Sequence, residues 1–106
     1  MAGVIWTMRA QAEKRKLYLE GRLNFGIRVA NKTAQKIEGI QKNLERFPEL
    51  GYREPLLIGL IPTYRALHIN KRFKIIYCYD KANDIVVIED IWDMHRAPQN
   101  LMTRII

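Results

Sequence analysis

A chain of 106 residues with 48% hydrophobic and 27% charged residues has an ordinary globular composition and suits one domain, residues 1–106, around one core. Its 18 Lys and Arg against 11 Asp and Glu leave a formal charge of +7, which favours a polyanionic partner over a neutral one. The single cysteine, Cys78, excludes an intrachain disulfide and a multi-cysteine zinc site, and no apolar run approaches the roughly 18 residues that cross a membrane, so no membrane partner is expected.

The start, Met1 to Trp6, lacks the cationic segment and apolar stretch of a secretory leader, so a reducing, cytoplasmic location is the expectation. Gly3 to Thr7 is a short apolar run that reads as a strand. Thr7 is placed to cap a helix, because its hydroxyl can accept from an otherwise unpaired amide. Arg9 to about Asn24 reads as a basic helix with a narrow apolar stripe, broken at Asn24-Phe25-Gly26. Val29, Thr33, Ile37, Ile40, Leu44 and Phe47 then recur at helical spacing and predict a second helix with one buried face, stopped by Pro48 and Gly51. Two helices with so short a break form an antiparallel hairpin. From Arg9 to Lys36 there are eight cations and two acids. Lys14, Arg15, Lys16 and Arg22 would therefore present a basic surface to an acidic chain. A solvated surface that serves solubility alone is the plainer alternative.

Glu49 to Pro62 reads as a loop, with Leu56-Leu57-Ile58 packing under it. Thr63–Ile69, Arg72–Tyr79 and Ile85–Trp92 are rich in β-branched and aromatic residues and predict three strands in an antiparallel meander. The fold class is α+β: N-terminal strand, helix hairpin, then meander. Asn70-Lys71 fits a two-residue turn, which sets Arg65 against Ile76 and Leu67 against Lys74. Arg65, Arg72 and Lys74 would then project from one face of the sheet, as a phosphate backbone requires. Tyr64, Ala66, Phe73, Ile75, Tyr77 and Tyr79 would face the helices. Lysine and arginine that merely guard a strand edge are the alternative.

After the last strand, the tail Trp92-Asp93-Met94-His95-Arg96-Ala97-Pro98 is where a scaffold delivers loop residues to a site. His95 is a candidate proton donor or acceptor beside the phosphate clamp of Arg96. A surface histidine in a terminal turn is the alternative. His68, His95 and the scattered acids lack ligand spacing, so neither a metal nor a cofactor is expected. Cys78, mid-strand in an apolar run, reads as packing.

Taken together, Val4-x-Trp6-Thr7-x-Arg9-Ala10, Phe25-Gly26 with Ala30, Leu44-x-x-Phe47-Pro48-x-x-Gly51, Tyr64-Arg65-x-Leu67, Phe73-Lys74-Ile75-Ile76-Tyr77, Trp92-Asp93 and Pro98 follow one pattern over nearly the whole chain. It resembles the RelE/ParE superfamily of bacterial type II toxins, the plasmid stabilisation proteins. The resemblance implies a toxin held inactive by a cognate acidic antitoxin, with operator DNA reached only through that antitoxin. RelE-like members cut messenger RNA on the ribosome; ParE-like members poison DNA gyrase. Arg65 and Lys74 match two strand cations of the RNA-cutting branch, while Leu67 stands where a third is expected. Asp93 and Pro98 fit the end of the last strand, but His95 occupies the position of an arginine and Arg96 follows it. No tyrosine follows Tyr79. The nuclease reading is metal-free: attack by the ribose 2′-OH on the adjacent phosphate, with Arg65 and Lys74 on the developing charge and His95 or Arg96 near the moving proton. Arg53, Lys71 and Arg72 would position the RNA. A gyrase poison without nuclease activity, and an inert relative that only binds antitoxin and operator, are the other two readings.

Overall fold

The computed structural model describes residues 1–105. Strand β1 (Gly3–Trp6) leads through Thr7 into helix α1 (Met8–Phe25), and Thr7 Oγ1 accepts from the Ala10 amide at 3.1 Å, as expected of a cap. Helix α2 (Ile27–Arg46) follows after Gly26, whose φ of +92° turns the chain between the helices in a conformation that L side chains rarely adopt. A Cβ on Gly21 would lie 3.9 Å from Ala30, so the two small residues let the hairpin close. Ala30, Ile37, Ile40 and Leu44 form the buried face of α2. The two ends of the expected stripe, Val29 and Phe47, are instead exposed, and Phe47 already lies past the last residue of the helix.

Strand β2 (Tyr52–Arg53), a 3₁₀ turn at Pro55–Leu57, and strands β3 (Tyr64–His68), β4 (Phe73–Asp80) and β5 (Ile85–Asp93) come next. The sheet has five strands in the order β1-β5-β4-β3-β2. β1 joins β5 in parallel and the other pairs are antiparallel. The meander was expected; β2 is an addition, and so is helix α3 (Gln99–Ile105), which stands where the sequence suggested only a terminal turn.

One face of the sheet packs on the helix hairpin. Its core joins Ala10, Ile37, Ile40 and Leu44 to Ile75, Tyr77, Val86 and Ile88. The opposite face carries a smaller core of Leu57, Ala66, Ile76, Trp92 and Leu101, roofed by the 3₁₀ turn and α3. Of Leu56-Leu57-Ile58 in the loop, only Leu57 is buried; Leu56 and Ile58 are exposed, since a three-residue turn directs one side chain inward. At Ile76/Tyr77 the β4–β5 register shifts by a bulge in β5 at Glu89.

Candidate functional site

The β3–β4 register decides whether the expected cation cluster exists. Leu67 lies opposite Ile75, His68 opposite Lys74, and Arg65 opposite Tyr77. This is one residue away from the sequence expectation. The cause is the turn: Asn70 Oδ1 accepts from the amides of Arg72 and Phe73, each at 2.8 Å, and Ile69 N donates to Phe73 O at 2.9 Å. The side chain of Asn70 thus organises a three-residue loop, Asn70-Lys71-Arg72, and draws Arg72 out of the strand. A slip of one residue moves every side chain of one strand to the other face relative to its partner. Arg65 therefore shares the helix-side face with Leu67, Ile75 and Tyr77. Lys74 lies on the opposite face with Ala66 and Ile76. Tyr64 and Ala66, expected against the helices, belong to that opposite face too. Phe73, Ile75, Tyr77 and Tyr79 do face the helices.

Both strand cations are engaged by their own chain. Lys74 Nζ lies 2.7 Å from Glu54 Oε2, with side chains only 8% and 1% exposed. Arg65 Nη1 donates to the Gly51 carbonyl at 2.9 Å, and Nη2 lies 3.6 Å from Glu49 Oε2. Arg65 thereby holds the bend into β2. Gly51 is required there, because a Cβ would sit 2.7 Å from the Ala66 carbonyl and 2.8 Å from the Tyr77 ring. The Tyr77 hydroxyl accepts from Gly51 N at 2.8 Å.

Arg72 forms a bidentate pair with Asp93 at 3.1 and 2.9 Å. Hydrogen bonding from that guanidinium holds the Asp93 carboxyl below its ordinary range. Asp93 Oδ1 also accepts from His95 N at 2.9 Å, which shapes the turn after β5. His95 is exposed in that turn. The Arg96 guanidinium lies 5.9 Å from the centre of the Trp92 ring, and Arg96 lines a crevice of about 240 Å³ with Glu13, Glu20, Arg72 and Asp93. Arg65 stands at the opposite end of β3 from the hairpin that carries Arg72. Arg65, Lys74 and the His95–Arg96 pair therefore do not converge on one phosphate. Arg53 is exposed on β2 opposite Arg65, and Lys71 is exposed in the hairpin loop.

Glu54 and Glu49, which engage Lys74 and Arg65, were not singled out in the sequence. Glu54 stands one residue before a stretch without acids, Pro55 to Tyr79, and a charge count along the chain passes over it. Arg104 of α3 is a further case. It binds the buried Asp90 and, at 2.8 Å, Glu13, tying α3 to both β5 and α1. Burial raises the Asp90 carboxyl above its ordinary range, and Arg104 opposes that shift. Cys78 is buried as expected; burial and the neighbouring Glu89 push its thiol up to about 12, so it is no nucleophile at neutral pH.

The helix hairpin offers a different kind of surface. A groove of about 530 Å³ between α1 and α2 is lined by Lys14, Arg15, Leu17, Tyr18, Ile37 and Gln41. Lys14 Nζ lies 4.4 Å from the centre of the Trp6 ring, whose Nε1 donates to Gln41 Oε1 at 2.9 Å. Beyond it a second groove of about 440 Å³ runs to the β3–β4 hairpin, with apolar walls from Leu17, Phe25, Val29 and Phe73 and cations Lys71 and Arg72. Leu23 and Phe25 at the hairpin tip are 85% and 71% exposed, beside Arg22 in the last turn of α1. These are exposed apolar surfaces with a cationic rim, the anatomy of a protein–protein contact. Among the described residues no helix is long and apolar enough to cross a membrane.

Residues 4–98 match the family model described as the ParE toxin of type II toxin-antitoxin system, parDE. No curated protein matches the chain. Among solved structures, the chain is similar to one described as a chromosomal ParDE TA system from P. aeruginosa. The two share 22% identity and a TM-score of 0.68, over 88% of this chain and 96% of that one. A YoeB/ParE toxin from Agrobacterium tumefaciens is similar at 16% identity and a TM-score of 0.59, over 86% and 96%. At such identities these two likenesses concern the fold.

Proposed function

The chain belongs to the ParE toxin family of type II toxin–antitoxin systems, and from that premise we propose that it acts by binding its target, as a gyrase poison does, and not by cutting RNA. A toxin–antitoxin system implies a cognate antitoxin as partner. The observation that carries the reading is the fate of the two strand cations. Arg65 and Lys74 lie on opposite faces of the sheet, and each is tied to a carboxylate of the same chain. Cleavage through the 2′-OH needs preorganised positive charge on the non-bridging oxygens, and losing one such donor typically costs about a hundred- to a thousand-fold in rate. A lysine already neutralised by Glu54 and 8% exposed supplies no such charge to a phosphate.

The antitoxin is placed, on this reading, along the helix hairpin. Lys14, Arg15 and Arg22 rim the grooves, and Leu23 and Phe25 provide the apolar area that an acidic segment would need to order itself.

The test pairs two assays on the induced toxin: DNA supercoiling by gyrase, and primer extension across cellular messages. Inhibited supercoiling with intact messages is the expected result. Ribosome-dependent cleavage that Arg65→Ala abolishes would overturn the reading and restore the nuclease.

A further inference from the structure

The outward face of α2 is not used by anything described so far. Arg28, Lys32 and Lys36 follow one another at four-residue spacing, all exposed. They form a line about 12 Å long on the side of the helix away from Ala30, Ile37 and Leu44. Like charges four apart repel and weaken a helix, and here the pattern occurs twice in succession. Among the described residues no carboxylate lies within 4 Å of any of the three. The two acids of α2 do not relieve it: Glu38 pairs with Lys42 at 3.6 Å, and Glu45 lies round toward β1, where its carbonyl accepts from Ala2.

Gly39 is the second observation. It sits on the same outward face, in the middle of a 20-residue helix, where glycine is a poor helix former. A Cβ there would meet nothing within 4 Å, and its φ is not in the left-handed region. Neither packing nor backbone conformation asks for a glycine. What a missing side chain provides at this half-buried helix position, with open space beyond it, is room for another backbone to come close.

We propose that this face of α2 docks on the phosphate backbone of duplex DNA, with Arg28, Lys32 and Lys36 on successive phosphates and Gly39 admitting the strand against the helix. The proposal rests on the binding reading above and deepens it: what the toxin recognises is a target with its DNA in place. An acidic protein segment fits this face less well. Such a segment must bury apolar area to offset the entropy of its own ordering, and beside the cations, which Asn31 and Gln35 flank, Val29 offers far less of it than Leu23 and Phe25 do at the hairpin tip. A rigid duplex with regular charge asks only for spaced cations.

The experiment measures anisotropy of a short labelled duplex of random sequence with the purified toxin, without gyrase or message, from about 50 to 200 mM salt. Three phosphate contacts predict a slope of log affinity against log salt of about −2.7. Lys32→Gln with Lys36→Gln should weaken binding about tenfold at low salt and reduce the slope by about 1.8. Arg9→Gln with Lys81→Gln removes the same charge elsewhere and should leave both nearly unchanged. Gly39→Ala should raise the thermal midpoint while lowering DNA affinity several-fold. Equal losses from the two double variants would overturn the proposal, as would tighter binding to single-stranded RNA, or a loss confined to antitoxin affinity. An intact DNA affinity in Gly39→Ala would overturn the close approach. Because no gyrase is present, failure here is distinct from failure of the binding reading, which the message and supercoiling assays decide.

Discussion

The two faces of the sheet are stabilised by different means. The helix side is broad and apolar, with Leu44, Ile75, Val86 and Ile88 fully buried and the Tyr77 hydroxyl satisfied by Gly51. The opposite side is roofed by a three-residue turn and a seven-residue helix, neither long enough to be stable alone. There, charge does part of what apolar area does on the helix side. Lys74–Glu54 pins the turn, and Arg104 with Asp90 and Glu13 pins α3. The lesson is that a cation on a central strand can be committed to holding a small lid, and is then lost to a ligand.

The largest expected effect breaks the buried pair. Lys74→Met leaves the Glu54 carboxylate buried and unpartnered and should cost about 3–5 kcal/mol. Lys74→Met with Glu54→Leu should recover most of that, because a well-packed apolar pair of similar volume does about as well as a buried ion pair. Chemical denaturation of the three proteins checks this; a neutral single variant would mean the lid is held by packing after all.

Next in size, Leu44→Ala on the helix side should cost about 2–5 kcal/mol of global stability. Leu101→Ala on the lid should cost less, since α3 can detach locally without unfolding the sheet. Hydrogen exchange separates the two: Leu101→Ala should speed exchange only in residues 99–105 and the turn beneath them.

The smallest effect concerns acid. The folded Asp93 carboxyl titrates below its unfolded value of about 3.8. Its contribution is therefore fully present above that value and lost as pH falls through the lower folded value. Asp90 has the opposite sign: raised by burial, its ionised form loses stability as pH rises through the window above 3.8. Asp93→Asn should flatten the acid limb of the stability curve by no more than a screened surface pair provides, which a pH series at two salt concentrations would show.

Much of the fold was legible along the chain. Helical spacing in α2, the Thr7 cap, the break at Gly26 and the β-branched runs of the meander all emerge where local chemistry puts them. The candidate site was not, and Asn70 shows why. Counting Asn70-Lys71 as a two-residue turn is reasonable from residue type, but the Asn70 side chain organises a loop one residue longer. That single residue sends Arg65 and Lys74 to opposite faces. α3 was missed because its seven residues carry one buried side chain, Leu101, and its anchor Arg104 finds Asp90 and Glu13 only after folding.

The order of the helix hairpin and the meander, the family and the net charge were determined by the sequence alone, since they depend on residue type and on near neighbours. Which cations are free and which are neutralised was decided by tertiary structure. The meeting of residues such as Glu54 with Lys74 depends on contacts across 20 positions of chain, and a screened or buried charge differs from a free one only through such contacts.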